Sequence, residues 1–179
     1  DFPVLMSNAD VSKEPLLADK LAKSTVIEKG GEKIGLIGLT PEDTHELASP
    51  GDNITFSDPV AAVQGEVDRL TAEGINQILV LSHSGYGVDQ KVAAETSGVD
   101  VIVGGHTNTL LSNSNARAEG PYPTMVGETG IGKAHAYGKM LGAVKGPWAA
   151  AGSSTPTRTP TPHLSTHTPT TTATTTHTP

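Results

Sequence analysis

Two histidines stand in matched settings. In "ILVLSHSG" (Ile78–Gly85) and in "VIVGGHTNTL" (Val101–Leu110) an apolar run ends in small or polar residues and a histidine, His83 in the first and His106 in the second. Neutral imidazole is a common ligand for zinc and other transition ions. If the two runs are neighbouring parallel strands, about 4.8 Å apart, both rings reach one ion at bond lengths of about 2.0–2.1 Å. Gly104 and Gly105 remove side chains just before His106, which lets a ligand approach the backbone closely. Asn108, two residues further on, offers an oxygen to a second ion or to an anion. A single histidine at a strand end is more often an ordinary surface or hydrogen-bonded residue. Two in the same setting make metal binding a balanced alternative, and histidines alone do not define a reaction.

The elements that must position these residues follow from periodicity. "FPVLMSN" reads as a short strand, and "STVIEKGGEKIGLIGLT" as two strands joined at Gly30-Gly31. A helix follows with Asp58 as N-cap, Pro59 at its first position and Val60, Val63, Val67 and Leu70 on one face. Glu66, Asp68, Arg69 and Glu73 are expected on the solvated face, and Gly74 ends the segment. Then come the strand "QILVLSH", a helix around "DQKVAAETSG", and the strand "VDVIVGGH". The interval between the histidine blocks is long enough for a helical crossover, which makes their strands parallel and puts both histidines at the carboxyl edge of the sheet. Strands without alternation, separated by amphipathic helices, predict an α/β fold with a mainly parallel sheet covered on both faces. "YPTMV" and "AHAYGKMLGAVK" are expected to add edge strands.

The composition narrows the classes of function. With 179 residues the chain is long enough for one domain and a tail. A formal charge of −7 offers no electrostatic footprint for a nucleic-acid polymer. No run has the roughly 18 apolar residues of a membrane helix, and the first residues lack the basic-then-apolar pattern of a secretion signal. The absence of cysteine excludes disulfides and thiolate metal sites. From Gly146 the composition changes to threonine, proline and histidine, which predicts a domain over 1–145 and a disordered tail over 146–179.

A wider set of blocks carries a resemblance. "EKIGLIGLTPEDT", "ASPGDNITFSDPVAAVQ", "ILVLSHSGYGVDQKVA", "GVDVIVGGHTNTLL", "GPYPTMV" and "AYGKMLG" occur in order between Phe2 and Lys145. In this order and spacing the chain resembles the 5′-nucleotidase family of calcineurin-like metallophosphoesterases. The resemblance implies part of a metallophosphoesterase-type α/β sandwich with a site for two divalent ions, commonly zinc or manganese. It implies His83 and His106 as ligands of one ion, with Asn108 contacting the other ion or the phosphate. The reaction it implies is hydrolysis of a nucleoside phosphate or another small phosphoester, in a periplasmic, cell-surface or extracellular protein.

Departures from the family pattern shape the remaining expectations. The Asp-x-His, bridging-Asp and Asn-His-Glu blocks of the family, and its nucleoside-binding C-terminal domain, are not found in the 179 residues. The reading is therefore a partial domain with no catalytic residue of its own, inactive in isolation. "DTHE", Asp43 to Glu46, satisfies Asp-x-His by letter but reads as the first turn of a short helix. Tyr86 and Asp89 are expected in a loop leading to a helix, with Asp89 as its N-cap. His135 is expected to be packing or surface, Trp148 falls beyond the match, and His163 and His167 have ligand spacing only if helical. Two other classes compete: a non-catalytic scaffold that retains the fold, and a surface protein whose Ser/Thr/Pro tail is an O-glycosylated stalk.

Overall fold

The structure, a computed structural model, describes residues 2–144. The expectations for the tail, Trp148, His163 and His167 lie outside the described residues. In chain order the elements are β1 (Val4–Leu5), β2 (Ala9–Asp10), β3 (Leu21–Ala22), β4 (Ser24–Lys29), β5 (Glu32–Leu39), α1 (Thr44–Ala48), β6 (Thr55–Phe56), α2 (Pro59–Ala72), β7 (Gln77–Ser82), α3 (Tyr86–Glu95), β8 (Val101–Val103), β9 (Thr124–Val126) and β10 (Thr129–Gly132).

Six strands form the main sheet in the order β4-β5-β7-β8-β10-β9. The central four are parallel, and β4 and β9 are antiparallel edges. The β4–β5 hairpin turns at Gly30 and Gly31, whose φ of 64° and 86° is the left-handed geometry that a two-residue hairpin requires. β1 with β3 and β2 with β6 make two small ladders beside the sheet. The fold class is α/β with a mainly parallel sheet, as the periodicity implies.

Helix α2 forms for the reasons visible in its sequence. The Asp58 carboxylate accepts a hydrogen bond from the Ala61 N–H at 2.8 Å, Pro59 occupies the first turn, and Val63, Val67 and Leu70 point into the core. They meet Ile37 of β5, Ile78 and Val80 of β7, Val92 of α3, Ile102 of β8 and Ile131 of β10 in one apolar cluster. α2 and α3 pack against each other and share one face of the sheet. Among the described residues the opposite face is covered in part, by Leu5 of β1, which lies against Gly38 of β5, and by the segment at 140–144. On the opposite face Leu81 and Val103 are 42% and 45% exposed, and a shallow apolar groove runs between Leu79, Val101 and the segment around Leu141. Strand periodicity reports apolar side chains on both faces but not what covers them.

Three further differences have local causes. Glu66 is buried rather than solvated, because its carboxylate accepts from Ser24 Oγ at 2.6 Å and pairs with Arg69 at 3.1 Å. The last parallel strand is "TGIG" at Thr129–Gly132, not the "AHAYGKMLGAVK" segment, where His135 and Tyr137 take φ of 60° and 57° and break the extended backbone. Tyr86 and Asp89 lie within α3, whose N-cap is Gly85, so Asp89 is not a cap.

Candidate functional site

Register brings four strand ends to one edge. Leu39 pairs with Ser82, Leu81 with Val103, and Val103 with Gly132, so the residues leaving β5, β7, β8 and β10 emerge side by side. This carboxyl edge is where open parallel sheets place ligands. His83 leaves β7 there, its N–H donating to the Leu39 carbonyl at 2.8 Å. His106 leaves β8 through Gly104 and Gly105. The two exposed imidazoles meet with ring centroids 5.2 Å apart at an interplanar angle of 64°. The juxtaposition expected from the matched blocks is present.

The paired glycines have separate steric reasons. A Cβ on Gly105 would lie 2.8 Å from His83 Nδ1, and a Cβ on Gly104 would overlap Asp89 Oδ2. Neither glycine has positive φ, so close approach and not backbone geometry excludes a side chain. Beyond them the backbone is strained: His106 and Asn108 have φ of 70° and 54°, a region that costs a non-glycine residue about 1–3 kcal/mol and persists only when neighbours enforce it.

Several neighbours supply that restraint. The Thr107 N–H donates to the Gly105 carbonyl at 2.9 Å, and Thr107 Oγ1 lies 2.9 Å from Thr109 Oγ1 and accepts from the Tyr86 N–H at 3.3 Å. Lys133 Nζ donates to the Gly105 carbonyl and, at 3.1 Å, to Thr107 Oγ1. His135 Nδ1 sits 2.7 Å from the Asn108 carbonyl, donating in the tautomer protonated there. The residue expected to be only packing or surface therefore braces the turn that carries Asn108.

Asp89 and Lys133 have unusual environments for charged residues. Asp89 is fully buried, its Oδ1 accepting a short 2.5 Å bond from Ser82 Oγ. Burial pushes its carboxyl up from the ordinary value, while the Ser82 bond and the Lys133 charge pull it back. Burial likewise pushes the Lys133 ammonium down, opposed by Asp89 and Glu119. Neither residue had a functional signal in the sequence. The need for glycine at position 104 was the one trace of them.

The donor set fits one ion in part. Two imidazole rings lie together at the edge, and Asn108 is exposed in the same turn. Among the described residues no group of three or more His, Cys, Asp or Glu could hold a metal ion. The "DTHE" letters do not form a site: His45 is 61% exposed on α1, against Glu46 and the Glu42 carbonyl.

No family model matches the chain. It is similar to the 5′-nucleotidase of Diplobatis ommata, 42% identical over 155 residues that make up 80% of this chain and 27% of that protein. Among solved structures, the 5′-nucleotidase precursor from Thermus thermophilus matches with a TM-score of 0.76 and 42% identity, over 82% of this chain and 31% of that one. The NAD nucleotidase of Haemophilus influenzae matches with a TM-score of 0.73 and 30% identity, over 79% and 30%. The chain thus spans less than a third of the length of each. Sequence identity and fold together relate it to one segment of the 5′-nucleotidase family of calcineurin-like metallophosphoesterases.

Proposed function

We propose that the chain is a segment of a phosphoesterase of the 5′-nucleotidase kind, in which His83 and His106 hold one divalent ion, zinc or manganese, and Asn108 faces a second ion or the phosphate. The observation that carries this reading is the pairing of the two imidazoles at the carboxyl edge of adjacent parallel strands. When bound, ions of a two-metal phosphoesterase polarise a phosphoryl oxygen and lower the pKa of a water. The chain's own contribution is to hold two imidazole donors together, one leaving β7 and one in the turn after β8, and to keep Gly105 clear beside them. The substrate class is nucleoside phosphates or other small phosphoesters. A periplasmic, cell-surface or extracellular site follows from the same relationship, and no helix among the described residues is long and apolar enough to cross a membrane.

Two nitrogen donors are half of the roughly four ligands that a closed zinc site needs. The isolated chain therefore binds zinc or manganese weakly and releases no phosphate from a nucleoside monophosphate or a chromogenic ester. Calorimetry of the parent chain and of the His83→Ala/His106→Ala double variant tests this. Weak one-to-one binding lost in the double variant supports the site; tight binding that survives the double substitution removes it. Joining the chain to the remaining metal-ligand segments of a related 5′-nucleotidase restores slow ester hydrolysis, and His106→Ala abolishes that gain. A fusion indifferent to His106→Ala contradicts the assignment.

A further inference from the structure

The fourth strand end at the edge is followed by Lys133, a residue that the proposed reaction does not use. It is only 3% exposed, which is rare for lysine and calls for a partner. Its stem crosses Gly104, where an added Cβ would lie 3.0 Å from Lys133 Cγ and 3.3 Å from Cδ. Beyond that crossing its ammonium bonds the Gly105 carbonyl and Thr107 Oγ1, the residues on either side of His106. Asp89 lies on the same glycine, with Oδ2 buried and without a hydrogen bond while Oδ1 holds Ser82, the residue before His83. Polar side chains thus line up from Ser82 through the buried Asp89 and Lys133, which meet over Gly104 without a hydrogen bond between them, to Thr107, linking the two loops that present the imidazoles.

We infer that Lys133, with Asp89 as its buried counter-charge, is a positioning residue that holds the turn after β8 in its left-handed form and so sets His106 against His83. The strained φ of His106 needs an external restraint, and the ammonium supplies two bonds on opposite sides of that residue. Gly104 is then glycine because the device passes over it. The value of this arrangement for an ion rests on the functional reading above; the arrangement itself does not.

The test uses the full isotopically labelled chain without metal. Lys133→Met keeps the stem and removes the ammonium. The expected result is loss of the ring-proton cross-relaxation between His83 and His106 and an increase of roughly tenfold or more in amide exchange at Thr107, as a charge-assisted restraint is removed. Exchange at Gly104, whose N–H donates to the Gly132 carbonyl at 2.9 Å in the strand ladder, stays unchanged and reports an intact sheet. Thr107→Val removes the Lys133 acceptor, together with the Oγ1 contacts to the Tyr86 N–H and Thr109, without disturbing the buried pair; it shows the same changes to a smaller degree, so it carries the test if Lys133→Met does not fold. Unchanged ring contact and Thr107 exchange in a folded Lys133→Met, or in Thr107→Val if only that variant folds, overturns the inference. Because these readouts need no ion, their failure is distinct from loss of metal binding in the histidine double variant.

Discussion

Replacing Gly104 with alanine tests whether the paired glycines are steric requirements of the site. The added Cβ would overlap Asp89 Oδ2 and sit 3.0 Å from Lys133 Cγ, and both side chains are buried at 0% and 3% exposure. Neither can swing into solvent without leaving its partners. Overpacking of this kind costs about 1–3 kcal/mol. Moving the carboxylate also breaks the Ser82–Asp89 bond, a charge-assisted interaction worth about 1.5–3 kcal/mol. The sum, about 2.5–6 kcal/mol, is large beside a total stability of about 5–15 kcal/mol for an ordinary domain. With a urea slope of about 2 kcal/mol/M, the unfolding midpoint falls by about 1.2–3 M at unchanged slope. Gly65→Ala is the control, since it lies exposed in α2 with nothing within 4 Å of its added Cβ. It should raise stability by about 0.5–1 kcal/mol through the higher helix propensity of alanine. A Gly104→Ala midpoint equal to the parent's, measured beside a stabilised Gly65→Ala, refutes the steric account.

Asp58→Ala removes the cap on α2 and lowers stability by about 1 kcal/mol at neutral pH, measured by denaturant unfolding. The Ala61 N–H holds the Asp58 carboxyl below its ordinary value, with burial opposing and Lys91 assisting. The sign follows from linkage: the cap's contribution is complete above the unfolded value of about 4 and is lost as pH falls through the depressed folded value. The gap between parent and variant therefore closes in acid, and a gap that widens below pH 4 (on the order of the unfolded value) contradicts the cap. His45→Ala leaves both zinc affinity and stability unchanged within about 0.5 kcal/mol, since the residue is exposed on α1; a loss of zinc binding in calorimetry would reopen the "DTHE" motif as a site.

The local signals in the sequence were strong wherever one side chain's setting depends on its near neighbours. Asp58-Pro59 and the valine spacing specify α2, Gly30-Gly31 specifies a hairpin, and two apolar runs ending in His83 and His106 with a crossover between them specify parallel neighbours at one sheet edge. That was enough to foresee the imidazole pair. Tertiary structure alone decided the polar residues whose partners lie far along the chain. Asp89 reads as a cap by its letter and position, but it is buried because β7 presents Ser82 and β10 delivers Lys133 to the same glycine. Glu66 reads as solvated by helical phase, yet Ser24 on an edge strand reaches it. Even the placement of "TGIG" beside β8 was hidden, because one isoleucine among three small residues carries little hydrophobic pattern, and the strand is held by pairing on both sides. Periodicity states which face a residue occupies. Whether a charge on that face is stabilised depends on groups that only the folded chain brings together.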